Sequence, residues 1–238
     1  MRQRLADYRV FWREFRRTFH STGAVLPSGR RLARALAGRV ANGQQPQRVL
    51  EVGPGTGAVT GHIIDRLGPE DRLDLVELNE RFADVLRSRL EKEAAWRAVA
   101  DRVRVLEMPV EQIDAEAIYD VIVSGLPLNN FSCDLVQRIF TQFHRLAAEQ
   151  ARLSFFEYVA VRKAKSLFCK PSERRRLFGI ERLLAHEFDC WEVGRECILG
   201  NAPPAWVHHL QLPGKPRVES RESRARSSVS SCPSASRL

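Results

Sequence analysis

Between residues 46 and 212, short continuous apolar runs alternate with stretches whose apolar residues recur every three or four positions. The runs have strand length: Arg48–Val52, Leu73–Leu78, Val103–Met108, Tyr119–Ser124 and Arg152–Val159. Helical spacing marks the stretches between them. Ala58–Leu67 is one. Glu80–Ala95 carries Phe82, Val85, Leu86 and Leu90 on one side, and Asp134–Ala147 carries Leu135, Ile139, Phe143 and Leu146. After a basic helical stretch, Phe188–Cys197 and Ala205–Leu212 read as two further strands. Strand alternating with helix predicts an α/β fold, a seven-stranded, mostly parallel sheet with helices on both faces.

Composition divides the chain in three. Residues 1–45 are basic and helical in pattern and end in the turn sequence Asn42-Gly43-Gln44-Gln45-Pro46. Residues 46–212 hold the alternating elements. Residues 213–238 contain eight Ser, five Arg and one Lys and too little apolar surface to offset ordering entropy, which predicts disorder. Of the net charge of +9, the first 48 residues carry 11 basic against 2 acidic side chains, residues 49–160 carry 12 against 19, and residues 161–238 carry 15 against 8. Basic flanks around an acidic centre suit a polyanionic partner, either nucleic acid or an anionic membrane surface.

No apolar run reaches the roughly 18 residues that a spanning helix needs. Arginines interrupt the first twenty positions, so no secretory signal is expected there. In that segment Tyr8, Phe11, Trp12, Phe15 and Phe19 form one helical stripe beside Arg9, Arg13, Arg16 and Arg17. Such a helix can lie in the headgroup region of an anionic bilayer, or its aromatics can pack on the core. A second basic run, with Arg162 and Lys165 among its members, can hold a lipid phosphate or form a solvated helix face. The five cysteines have no zinc or C-x-x-C spacing and read as reduced thiols; His208-His209 has no third ligand nearby, so no metal is expected.

The sharpest motif is Glu51-Val52-Gly53-Pro54-Gly55-Thr56-Gly57, directly after the first strand. Glycines there let a ligand approach the backbone outside the carboxyl end of a parallel strand. Glu77, at the end of the next strand, suits a ribose diol. The spacing Gly-x-Gly-x-Gly, with an acid ahead of it, departs from the dinucleotide fingerprint. It resembles motif I of the class I S-adenosylmethionine-dependent methyltransferases, which have a Rossmann-like fold. That resemblance implies S-adenosyl-L-methionine as cofactor. It places Gly53, Gly55, Thr56 and Gly57 around the amino-acid part, Glu51 at the loop and the methionine ammonium, and Glu77 at the ribose hydroxyls. Glu107, at the end of the third strand, is the candidate acid for the adenine amine, and Leu78, Met108 and Ser124 fall at the remaining cofactor positions.

The fourth strand runs into Ser124-Gly125-Leu126-Pro127-Leu128-Asn129-Asn130-Phe131. Adenine-methylating relatives place an Asn where Gly125 stands and an aromatic where Leu128 stands, to hold and stack a flipped base. Neither group is present, so no nucleic acid partner is expected. Together with Thr22–Ser28, Phe156-Glu157-Tyr158 and Asn201–Ala205, this loop resembles the bacterial phospholipid N-methyltransferases of the soluble phosphatidylethanolamine type, over about residues 8–212. The resemblance implies stepwise methylation of phosphatidylethanolamine toward phosphatidylcholine by a cytoplasmic protein held peripherally at the inner leaflet.

A lipid ammonium titrates near 10, like a lysine, and must lose a proton before it attacks. Candidates for the amine site are Gly125, Leu126, Asn129, Glu157 and Tyr158, with the faces of Tyr158, Phe131 and Tyr8 available to a methylated cation. Two alternatives remain open: an rRNA adenine N6-dimethyltransferase, whose discriminator is the loop Gly125-Leu126-Pro127-Leu128 after the fourth strand, and a catalytically silent cofactor- or membrane-binding protein.

Overall fold

The apolar runs pair into one sheet, and most of the parallel strands are joined by a helix that carries the chain back to the end from which the next strand starts. The computed structural model describes residues 29–40, 45–158, 171–201 and 203–216. Its strands are β1 (Arg48–Val52), β2 (Arg72–Val76), β3 (Val103–Leu106), β4 (Tyr119–Ser124), β5 (Ala147–Tyr158), β6 (Glu192–Ile198) and β7 (Ala205–Gln211). They stand in the order β3-β2-β1-β4-β5-β7-β6. The first five are parallel, and β7 runs antiparallel to both β5 and β6. Strand order reverses between β1 and β4, the crevice where α/β sheets bind ligands.

The helices are α1 (Arg30–Leu36), α2 (Ala58–Ile64), α3 (Glu80–Lys92), α4 (Ala94–Arg97), α5 (Cys133–Leu146) and α6 (Pro171–Trp191). Asn79 caps α3 by accepting from the Arg81 N–H, and Ser132 caps α5 by accepting from the Leu135 N–H. One face of the sheet is sealed by α5 and α6, with Phe140, Phe143, Leu146, Ile180 and Leu184 over Ile122, Leu153 and Phe155. The other is sealed by α1, α2 and α4, with Leu32, Leu36, Ile63 and Trp96 over Val49, Val121 and Val123. Each such side chain contributes roughly 1.5–3 kcal/mol by leaving water. No helix among the described residues is long and apolar enough to cross a membrane.

The helix that starts at Ala58 and the second and third strands end two or three residues earlier than in the sequence reading, and three differences go further. The last helix continues through Trp191, so Phe188 belongs to it and β6 begins at Glu192. The reason is a stripe of period 3.6: Leu177, Ile180, Leu184, Phe188 and Trp191 all turn to the core. The stretch Glu80–Ala95 is two helices, because Glu93 adopts an extended conformation and starts α4. β5 begins at Ala147, five residues earlier than expected. The aromatic stripe Tyr8–Phe19, Arg13 and Arg16, the segment Thr22–Ser28, the basic positions Arg162 and Lys165, and nearly all of the Ser- and Arg-rich tail lie outside the described residues.

Candidate functional site

The carboxyl ends of β1, β2, β3 and β4 are tied together by backbone hydrogen bonds that continue the ladder beyond the strands. Gly53 N–H donates to Val76 O (2.9 Å), Glu77 N–H to Leu106 O (3.0 Å) and Gly125 N–H to Val52 O (2.8 Å). The glycine loop leaves β1 here. Gly53 and Gly57 have φ of +72° and +87°, conformations that side-chain-bearing residues rarely adopt. Space forbids a side chain as well: a Cβ on Gly53 would stand 2.8 Å from Leu126 Cδ2, and one on Gly57 would stand 2.5 Å from the Trp96 ring. A Cβ on Gly55 would meet nothing within 4 Å, so this part of the loop borders open space.

Two carboxylates flank the loop. Glu51 is 1% exposed, and neither of its side-chain oxygens has a hydrogen-bond donor within reach. Burial pushes its pKa up to about 8. The nearby Thr60 hydroxyl pulls the other way without closing a hydrogen bond, and the Glu77 charge adds to the rise. Glu77 is also buried. Its carboxylate accepts from the Gly55 N–H (3.0 Å) and the Asn79 N–H (2.8 Å). Burial raises its pKa, and these backbone donors oppose the rise. A buried carboxylate with no donor is costly unless a cation arrives to meet it. Leu78 and Met108 lie half-buried on the core beside this pair. Glu107, by contrast, is exposed and bonded to Arg87 (3.2 Å).

The β4 loop closes the other side. Ser124 is fully buried and its hydroxyl accepts from the Leu126 N–H at 3.4 Å. Gly125 presses on the glycine loop so tightly that a Cβ would stand 2.7 Å from the Gly53 carbonyl oxygen. The position that holds an amide in base-modifying relatives thus has no room for one. Asn129 is 7% exposed, and its Oδ1 has no partner. Phe131 is packed into the core, which removes its face from the set expected to hold a cation.

Glu157 and Tyr158 end β5 but do not meet. Alternation along the strand sends Glu157 to the face of α5 and α6, and Tyr158 to the opposite face, against Phe156 (5.1 Å between ring centroids). Burial raises the Tyr158 pKa. The same alternation separates His208 from His209, so the two rings cannot share one ion.

Two arginines clamp these loops: Arg89, which the sequence did not single out, and Arg176, a member of the second basic run. Arg89, on α3, donates to the carbonyls of Thr56 (2.8 Å) and Gly57 (3.2 Å). It is itself held by Glu93 (2.7 and 2.9 Å) and lies 4.0 Å from the centre of the Trp96 ring. The Arg89–Glu93 spacing of four on a helix was the signal available. Arg176, on α6, donates to the carbonyls of Asn129 (3.0 Å) and Phe131 and is gripped by Glu173. It belongs to the basic run read as a lipid-phosphate cradle, but its guanidinium faces the β4 loop. Asn201, in the turn between β6 and β7, accepts from the Gly29 N–H (3.1 Å), joining the Asn201–Ala205 segment to the residue after Thr22–Ser28.

Comparisons with known proteins agree with this geometry. Residues 49–150 match the family described as a methyltransferase domain. Over 136 residues the chain is 30% identical to an ornithine lipid N-methyltransferase from Singulisphaera acidiphila, covering 57% of this chain and 70% of that protein. Among solved structures, a Burkholderia thailandensis 1,6-didemethyltoxoflavin-N1-methyltransferase superposes with a TM-score of 0.57 at 18% identity, covering 87% of this chain and 89% of the other. A putative O-methyltransferase from Klebsiella pneumoniae gives 0.56 at 16% identity, covering 82% and 87%. At these identities the structures speak for the fold alone. The fold, the loop geometry and the shared sequence together place the chain in the class I S-adenosylmethionine-dependent methyltransferase family to which that lipid N-methyltransferase belongs.

Proposed function

We propose that the protein methylates the headgroup amine of a membrane lipid, with phosphatidylethanolamine and its mono- and dimethyl forms as successive acceptors. The observation that carries this reading is the seat of Gly125 on the Gly53 carbonyl, which leaves the β4 loop without a base-reading amide. The lipid N-methyltransferase relative supports the same acceptor class. It also favours a second substrate of the same chemistry, the amine of an ornithine lipid.

The residues fit the cofactor. Glu51 supplies the buried acceptor for the methionine ammonium. Gly53, Gly55, Thr56 and Gly57 surround the amino-acid part, Glu77 takes the ribose hydroxyls, and Leu78 and Met108 flank the adenine. Ser124 supports the loop, and Glu107 reaches the rim only if Arg87 yields it. When bound, the cofactor supplies a methyl group made electrophilic by its sulfonium. The chain's own residues then have three tasks: to align the amine, to exclude water and to take its proton. The carbonyls of Gly125 and Leu126 and the Asn129 side chain orient the amine, Glu157 accepts its proton, and Tyr158 forms part of the wall from the other face. The aromatic and basic segment around Tyr8, Phe11, Trp12, Phe15 and Phe19, with Arg13, Arg16, Arg162 and Lys165, brings the site to an anionic bilayer.

The test offers methyl-labelled cofactor with vesicles of phosphatidylethanolamine, vesicles of ornithine lipid, and ribosomal RNA. Label in either lipid supports the reading and chooses between the substrates. Label in RNA alone, or in water-soluble amines alone, overturns it.

A further inference from the structure

The antiparallel edge of the sheet holds an ionisable group that the site so far does not use. His208, on β7, is 4% exposed and stands between two carboxylates. Its Nδ1 lies 2.6 Å from Glu192 Oε1 on β6; its Nε2 lies 3.5 Å from Glu157 Oε2 on β5, within ion-pair distance but not hydrogen-bonded, so a small turn of the Glu157 side chain must close this link before a proton can cross it. The ring is fixed by stacking, 4.2 Å from Phe188 of α6 and 5.4 Å from Phe155 of β5, both near-parallel. Across from it on β6, the Arg195 guanidinium lies over the Trp206 ring at 5.2 Å. His209 points to the other face, where it bonds Ser154 and Glu196.

A lone buried histidine with one carboxylate is a common way to satisfy a core imidazole. Here the arrangement is longer and directional. Glu157 is 3% exposed in its side chain and sits two residues past Phe155, which pairs with the last residue of β4. Glu192 is 20% exposed in its side chain and reaches solvent. The imidazole therefore joins a carboxylate at the acceptor end of the sheet to one at the surface. Burying two titratable groups side by side, Glu157 and His208, is expensive, and such pairs concentrate where protons must move.

We propose that Glu157, His208 and Glu192 form a proton relay that drains the acceptor ammonium, with His208 as the positioning residue. The proposal rests on the reading that the acceptor is a lipid amine beside Glu157. One proton leaves the ammonium nitrogen for the Glu157 carboxylate, and the nitrogen keeps the electron pair. Glu157 passes a proton to His208 Nε2, and His208 releases the one on Nδ1 to Glu192 and then to water. Each methyl transfer sends one proton along this route, so repeated methylation of one lipid needs the relay to reset each time.

The test measures pH–rate profiles on vesicles of phosphatidylethanolamine and phosphatidylglycerol for the full chain, His208→Gln and Glu192→Gln, with cofactor affinity by calorimetry and folding by thermal melt. His208→Gln is expected to lower kcat about tenfold or more at pH 7, to recover toward pH 9–10 as the amine deprotonates unaided, and to leave cofactor affinity unchanged. Glu192→Gln, at the rim, should show the same profile more weakly. It should also move the His208 proton from Nδ1 to Nε2 in long-range nitrogen–proton spectra of the ligand-free protein. Profiles parallel to the unaltered chain, or a tautomer unmoved by Glu192→Gln, overturn the relay while the lipid reading stands. An unaltered chain that methylates no lipid amine overturns the lipid reading and the relay with it.

Discussion

Glu51 shows how one side chain links stability, pH and ligand. Its folded pKa of about 8 lies above the 4.5 of an ordinary glutamate carboxyl. Between those values the folded protein keeps a proton that the unfolded chain has released. The folded state therefore loses stability as pH rises from about 4.5 to 8, by on the order of a few kcal/mol for a fully buried group. A cation at Glu51 reverses this by favouring the ionised form. Glu51→Gln should thus raise the melting temperature of the ligand-free protein at pH 8 and change it little at pH 5. The same variant should weaken S-adenosylmethionine about tenfold or more by calorimetry. Unchanged cofactor affinity would remove Glu51 from the ammonium site. Gly125→Ala makes a complementary prediction. Its methyl group would meet the Gly53 carbonyl, which is backbone and cannot swing away. The two loops must part by some tenths of an ångström, so cofactor affinity should fall roughly tenfold with the fold retained, since a loop shift disturbs the cradle more than the core.

At the scale of elements, the clamps and the boundaries share one cause: what a helix does depends on what it packs against. Arg176 looked like any member of a basic run, yet Glu173 turns it onto the carbonyls of Asn129 and Phe131. Arg176→Ala should leave those carbonyls without donors, at a cost of about 1–3 kcal/mol. Hydrogen exchange of residues 128–131 should accelerate, kcat should fall several-fold, and cofactor affinity should hold. Exchange at the unaltered rate would show that the loop stands without the clamp. The strands β1 to β4 and the Glu51–Gly57 loop were legible in the sequence because they depend on local pattern: apolar runs of strand length and glycines at fixed offsets. Arg89, Arg176 and His208 were not, because the partners that give them these places lie 16 to 51 residues away, where no periodicity reaches. The Phe188–Trp191 boundary was misread for a related reason. An apolar residue every third or fourth position resembles a short apolar run when the helix ends against a strand with no turn between. Glu157 and Tyr158, adjacent in sequence, were expected to share one site; the pleat divides them between two faces.

The whole molecule has one edge where everything converges. The glycine loop, the β4 loop and the end of β5 share the carboxyl edge of the sheet. Gly29 is pinned to the same edge through Asn201, in the turn after β6, whose last residue pairs with Ala205 opposite Tyr158. Residues 1–28 and 159–170 therefore join the described body beside the site, and both are rich in Arg and Lys, whereas residues 49–160 carry a net −7. On the proposed membrane-lipid reading, this charge layout favours one approach to an anionic bilayer, with the site edge toward the membrane and the acidic stretch 49–160 away from it. Each arginine near such a surface contributes about 1 kcal/mol. Arg13→Ala with Arg16→Ala should then lower the affinity for phosphatidylglycerol vesicles by about 2 kcal/mol, roughly 30-fold. Raising the salt should weaken the unaltered chain's binding, because the Debye length shrinks from about 8 Å at 0.15 M toward 3 Å at 1 M. Cofactor affinity, set within residues 51–125, should be the same in both proteins. Co-sedimentation with vesicles across a salt series reads the first two effects, and calorimetry reads the third. Equal sedimentation of the double variant at every salt concentration would separate the basic stripe from membrane docking and leave the aromatic residues to pack on the core.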